Sequence, residues 1–221
     1  MKSRGIWTTG IATLLAAATS AFAAGDVGLI NQLNGDASYS SGASTAKVQA
    51  FMKVREGDRF SVPSGAQVRI VYFQGGRQES FSGPASFTAG AQQSTVQSGA
   101  QPQVTVLPSG VPQKISQTPE LIQIAKLGRS GGVAVRGVGR EQRLTPQQQA
   151  EVRQARETYQ QLRANAAADD ITPELYLYSV LQDHLLYGDM KPVVAEMARR
   201  QPNNPDVAEL VAYVKAKTEI R

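Results

Sequence analysis

The chain has 221 residues, 41% of them apolar and 19% charged, with a formal net charge of +5. That balance suits a folded protein rather than a disordered one. Cysteine is absent and histidine occurs once, which excludes disulfide frameworks, thiol nucleophiles, iron–sulfur clusters and thiolate zinc sites.

Residues 1–23 read as a secretion signal. Lys2 and Arg4 give a basic start, Ile6 to Ala18 is apolar and uncharged, and Ala21-Phe22-Ala23 places small residues before a cleavage site at Ala24. The apolar run is shorter than the roughly 20 residues a spanning helix needs. No cysteine follows it for lipid attachment. The expectation is a periplasmic or secreted protein of a Gram-negative cell, not membrane-spanning, in a compartment poor in ATP and NAD. Cleavage would leave 198 residues, room for one ordinary domain or two small ones.

Positive charge is unevenly spread. Residues 24–110 carry six basic and five acidic residues, and residues 145–221 carry nine and eleven. The stretch 111–144 carries six against two, so the high pI belongs mainly to one middle segment.

Residues 26–110 show strand and turn signals. Val68-Arg69-Ile70-Val71-Tyr72 is β-branched and aromatic. Turn pairs recur at Asn34-Gly35, Ser41-Gly42, Gly57-Asp58, Ser64-Gly65, Gly75-Gly76 and Ser82-Gly83. From Thr88 to Gln113 there is no charged residue, and late strands such as Val104–Leu107 and a flexible neutral linker both remain open for that run.

The succession of Asn34-Gly35-Asp36-Ala37, Val54-Arg55-Glu56-Gly57-Asp58, Ser64-Gly65-Ala66, Val68-Arg69-Ile70, Gly75-Gly76 and Ser82-Gly83-Pro84-Ala85 resembles a FecR-type domain. Gly132-Val133-Ala134-Val135-Arg136-Gly137 is similar to the segment that often closes this region in secreted members. The resemblance implies a β-rich periplasmic module that binds a ligand or a protein. Well-known members also carry a cytoplasmic segment and a transmembrane helix, neither of which is expected here.

In the middle segment, Thr118-Pro119-Glu120 can open a short helix that Gly128 closes. Arg129, Arg136, Arg140 and Arg143 form a basic cluster that could contact an anionic partner, with a solvated linker as the plainer explanation. Gly132–Gly137 is expected as a strand completing the β unit.

Residues 145–221 read as four helices. Thr145-Pro146, Thr172-Pro173 and Asn204-Pro205 each place a capping side chain before a proline suited to the first helical position. Thr145 with Gln148 fits a capping box, and Asp189 can cap a further helix. Val152, Ala155, Tyr159, Leu162 and Ala166 form a one-sided stripe. The helix pair around Gly188, with its Gly-Asp turn and the following Pro202-Asn203-Asn204-Pro205, resembles a tetratricopeptide-type hairpin. A small four-helix packing, or one docked on the β unit, is the blander alternative.

The expected fold is therefore α+β as separate modules. A FecR-like β domain spans 24–110, a basic linker with a possible closing strand 111–144, and a helical αα-hairpin module 145–221.

Catalytic signals are sparse. His184 lies in a helix beside Asp183, with no second histidine or cysteine to share a metal, and reads as a half-buried helix residue. Asp169-Asp170 precede a helix start, where acidic charge is favourable, and capping accounts for them. Asp36, Glu56 and Asp58 sit by turn glycines, and a carboxylate pair across a cleft is the only route to hydrolysis they offer. Gly137-Val138-Gly139 lacks the third glycine of a dinucleotide loop. The expectation is a non-enzymatic binding or interaction protein of the cell envelope, without cofactor, metal or catalytic residue, meeting an envelope protein partner and not nucleic acid. The alternatives are a module for cell-wall glycan, with Tyr39, Tyr72, Phe73, Phe81 or Phe87 stacking on sugar rings, and a carboxylate-based hydrolase.

Overall fold

A computed structural model describes residues 25–129 and 144–219. Ten strands come first: β1 (Asp26–Asn34), β2 (Ser38–Ser41), β3 (Ser44–Lys47), β4 (Lys53–Arg55), β5 (Arg59–Val62), β6 (Gln67–Tyr72), β7 (Arg77–Ser82), β8 (Ala85–Ala89), β9 (Ser94–Gly99) and β10 (Gln103–Val106). Six helices follow: α1 (Val111–Ile115), α2 (Thr118–Arg129), α3 (Pro146–Asn165), α4 (Thr172–Asp183), α5 (Tyr187–Arg200) and α6 (Pro205–Glu219). Among the described residues no helix is long and apolar enough to cross a membrane.

The strands form two antiparallel sheets, ordered β10-β7-β6-β1-β4 and β3-β2-β5-β8-β9. The uncharged run is thus strand, not linker. In the second sheet, β5 and β8 alternate buried and less buried residues, as expected where one face meets a core and the other meets water. The first sheet differs: five consecutive residues of β1 and of β6 are buried. Alternate side chains point to opposite faces, so these strands are covered on both sides. Ile30, Val68, Ile70 and Phe81 meet Phe60, Val62 and Phe87 of the other sheet in one core. Leu29 and Val71 meet the helices in a second. The order of layers is outer sheet, central sheet, helices.

This packing corrects the expectation of separate modules. Leu29, Val71 and Leu107 share their core with Val111, Ile115, Ile122, Leu175, Leu181, Met190 and Leu210. A sheet face carrying Leu29 and Val71 needs a cover, and the helices supply it. The docked alternative is the one the structure shows. The supposed linker is corrected for the same reason: residues 111–129 are α1 and α2, with Val111, Ile115, Ile122 and Ala125 buried in the joint core. The expected strand 132–137 lies outside the described residues.

Thr145 and Asn204 cap their helices as the sequence signals, whereas Thr118, Thr172 and Asp189 do not, and α2 runs through Gly128 to Arg129 instead of closing there. Thr145 accepts from the Gln148 backbone N–H while Gln148 reaches back to the Thr145 N–H, completing the capping box. Asn204 Oδ1 accepts from the N–H groups of Asp206 and Val207 at the start of α6. At α4 the cap position falls to Ile171, and Thr172 is already helical. Its hydroxyl is spent on the sheet instead, as described below. Gly188 lies within the first turn of α5 rather than in the connection, and Asp189 there pairs with Arg156 at 3.0 Å instead of capping. Replacing Thr145 by Ala is expected to destabilise the protein by about 1 kcal/mol, the ordinary worth of such a cap; urea unfolding would measure it.

Candidate binding cleft between sheet and helices

Polar residues are rare in a central sheet, yet Asn31, Gln32, Arg69 and Gln78 are all buried in this one. A bulge in β1 explains the first two. Ile30 pairs with Ile70 but Gln32 pairs with Arg69, so one extra residue enters the strand and local alternation breaks. Asn31 and Gln32 consequently both reach the helical side.

They meet the short connection between α3 and α4. Asp170 Oδ2 accepts from Gln78 Nε2 at 2.7 Å, and its Oδ1 accepts from the Thr172 N–H at 2.8 Å and the Thr172 hydroxyl at 2.6 Å. Asn31 Nδ2 donates to Thr172 Oγ1 at 2.5 Å. Gln32 Nε2 donates to Asp169. Arg69 lies between the two carboxylates, Nη2 at 3.4 Å from Asp169 Oδ1 and Nη1 at 3.6 Å from Asp170 Oδ1, while its Nε donates to Ser80 Oγ at 2.8 Å. Arg69 and Asp170 are nearly inaccessible, at 3% and 4% side-chain exposure. Capping alone therefore does not account for Asp169-Asp170: they tie the helices to the sheet. Burial raises the Asp169 carboxyl, but the Gln32 amide and the Arg69 guanidinium outweigh it and hold the group below the usual carboxylate range.

The helices grip the same connection from behind. Arg163 donates to the carbonyls of Ala167 and Asp170, Arg200 Nη1 to that of Ala168 at 2.6 Å, and Gln201 to that of Asp169 at 3.0 Å. Glu174, fully buried, faces both arginines, with Oε2 at 3.0 Å from Arg163 and Oε1 at 3.5 Å from Arg200. Its burial dominates over those cations and raises its carboxyl above the usual range. Glu196 also accepts from Arg199 and Arg200, and those bonds draw it from 4.5 down to about 2. A carboxylate lowered on folding contributes stability that is complete above its unfolded value and is lost as pH falls toward its folded one. Acid titration of unfolding between pH 4.5 and about 2 should accordingly show a steep loss of stability, and Glu196→Gln should flatten it; an unchanged slope would contradict this assignment.

Beside this seam opens a cleft of about 630 Å³, within the range of ordinary ligand sites. One wall is the end of β1 and the 48–50 loop, and the other is the α5–α6 turn at 201–206. Each of its charged members already has a partner: Lys126 lies 2.7 Å from Asp206, Asp169 meets Gln32 and Arg69, and Arg200 meets Glu196 and Glu174. The amides of Asn34, Gln49 and Asn203 line the cleft and make no side-chain hydrogen bond among the described residues. No aromatic ring lines it. A smaller hollow of about 210 Å³ lies on the other side of the seam, against Gln78, Asp170, Thr172 and residues 105–108.

Apart from Asp169-Asp170, the residues singled out from sequence fall elsewhere. Arg129 is the last residue of α2, while Arg136, Arg140 and Arg143 lie outside the described residues. His184 follows α4 and lies 3.2 Å from Glu151 Oε2, its side chain 8% exposed. Asp36 pairs with Lys47 at the surface, and Asp58 accepts from the Arg55 N–H at 2.9 Å. Tyr72, Phe81 and Phe87 are buried, and Tyr39, Phe60, Phe87 and Phe81 stack in sequence at centroid spacings of 5.8, 5.0 and 3.8 Å. The buried rings fill the sandwich, while Tyr39 packs partly buried against that core and Phe73 partly buried against the helix-side one. Among the described residues there is no group of three or more acidic or histidine side chains suited to a metal ion. The seam leaves one local signal in the sequence: Asn31-Gln32 interrupts the apolar pattern of Leu29-Ile30 and Leu33. Comparison of the chain with family models, with curated proteins and with solved structures gives no match in any of the three.

Proposed function

We propose that the chain is a non-enzymatic binding protein of the bacterial cell envelope, exported by its N-terminal signal, which holds an extended neutral segment of a partner protein in the cleft beside the seam. The observation that carries this reading is the lining: free amides at Asn34, Gln49 and Asn203, with every charged side chain already balanced inside the protein. Amide groups offer a donor and an acceptor together, which suits a polypeptide backbone. An ionic ligand would have to break existing pairs, and a sugar would find no ring to stack on. The FecR-type resemblance of 34–85 supports the same class of role.

The test uses the purified chain without residues 1–23 on an array of extended peptides, with purified cell-wall sacculi alongside. Retention of uncharged peptides, weakened about tenfold by Asn203→Ala, is the expected result; one lost hydrogen bond to a desolvated partner costs about 1–3 kcal/mol. Retention on sacculi alone would favour the glycan alternative, and turnover of glycan or peptide substrates would favour the hydrolase. The basic cluster belongs to the same reading as a secondary anionic contact. Association with a partner should weaken with salt, and replacing Arg129, Arg136, Arg140 and Arg143 by Gln should remove that dependence without unfolding the protein. Binding unaffected by either treatment would leave the arginines as solvated surface charge.

A further inference from the structure

The four outer edges of the two sheets are not alike. β3 and β4 form one edge of each sheet, and both carry lysine: Lys47 pairs with Asp36, and Lys53 pairs with Asp26 and Glu120. Charged edges of this kind are how folded proteins prevent strand addition. The other two edges, β9 and β10, contain no charged residue. All four residues of β10 are exposed, with Val104 at 42% and Val106 at 75%.

The backbone of β10 is oriented for pairing. Among the described residues its strand partner is β7, with Val106 opposite Arg77 and Val104 opposite Glu79. Leu107 donates its N–H to Gly76 O at 2.7 Å. Alternate residues of a strand turn their N–H and C=O to the same side, so Gln103, Thr105 and Leu107 face β7. The N–H and C=O groups of Val104 and Val106 then face outward, where among the described residues no neighbouring strand takes them up.

We propose that β10 is a self-pairing edge that joins two copies of this chain. A second copy brings an antiparallel strand with the same outward residues, so Val104 of each copy can stand opposite Val106 of the other. Four backbone hydrogen bonds form, and Thr105 meets its own counterpart at the two-fold axis. The valine pairs lie on one face, where β-branched side chains pack favourably across strands. Since the strand is uncharged, two copies approach without repulsion, which β3 and β4 with their lysines would not allow. The two central sheets become one sheet of ten strands.

The absence of cysteine makes the register directly testable. In the protein without residues 1–23, Thr105→Cys introduces a single thiol at the axis. The axial pair is not hydrogen-bonded and its Cα atoms are about 4.5 Å apart, within the span of a disulfide. With oxidised glutathione as oxidant, two such chains should link covalently, each losing its thiol proton as glutathione is reduced. Ser44→Cys, on the opposite side of the sandwich, should not link at the same rate. The unmodified chain should sediment as a concentration-dependent dimer, and Val106→Glu, which stands opposite Arg77 at an exposed site, should sediment as a monomer. A chain monomeric at every concentration, or equal linkage of the two thiol variants, would overturn the proposal. So would a monomer that instead accepts an added extended peptide on this edge.

Discussion

Asp170→Ala is expected to be among the most destabilising single substitutions in the chain. It removes the acceptor shared by Gln78 Nε2 and both donors of Thr172, and takes away one of the two carboxylates beside the buried Arg69 guanidinium. Breaking a buried pair from one side typically costs about 3–5 kcal/mol, because the surviving charge stays desolvated. For a protein of this size that corresponds to a fall in Tm on the order of 10 °C. A double-mutant cycle with Arg69→Leu should show strong coupling, since removing both charges leaves nothing uncompensated. The joint core also implies one cooperative transition: far-UV CD, which reports the helices, and near-UV CD, which reports the tyrosines, should coincide. Two separated transitions, or a loss under about 1 kcal/mol, would show that the seam does not bind the layers together.

Phe87→Ala should cost a similar amount by a different route. Its ring is fully buried between Phe60 and Phe81, and the strand that carries it pairs with β5 on one side and β9 on the other. Phe→Ala in a core loses about 3–5 kcal/mol through lost burial and the cavity left behind. Phe87→Leu should recover most of that loss, since it refills the space without the ring contacts. Denaturant unfolding separates the two variants, and equal stability of both would mean that the site collapses around the gap. Neither substitution at Phe87 should alter the pH dependence of stability, which rests on carboxylates elsewhere.

How much of this was legible in the sequence depends on the range of the signal. Thr145-Pro146 with Gln148, and Asn204-Pro205, act within one helical turn, and both caps form as the residues dictate. The turn glycines behave likewise: Gly35 and Gly57 take left-handed φ values of 74° and 88° between strands. Layering was less legible because its evidence is an absence. β6 is buried on both faces, yet Gln67-Val68-Arg69-Ile70-Val71-Tyr72 still contains an arginine that mimics a solvent-facing position. Only a partner 100 residues away reveals why Arg69 is inside. Asp169-Asp170 look like local dipole partners in the sequence for the same reason, since nothing nearby in the chain hints at Gln32 or Gln78. The cleft shares this obscurity: its walls come from residues near 34, 49 and 203, which are neighbours only after folding.

The two hollows flanking the seam are reached by consecutive residues of one connection. Asp169 belongs to the wall of the larger and Asp170 to that of the smaller. A single peptide group joins these side chains, and its neighbours are gripped from behind by Arg163, Arg200 and Gln201. The main chain between the two chambers is therefore held from the helix side while its side chains are held from the sheet. A ligand in either hollow would lie against a carboxylate whose main chain is already fixed, and would meet a rigid wall there.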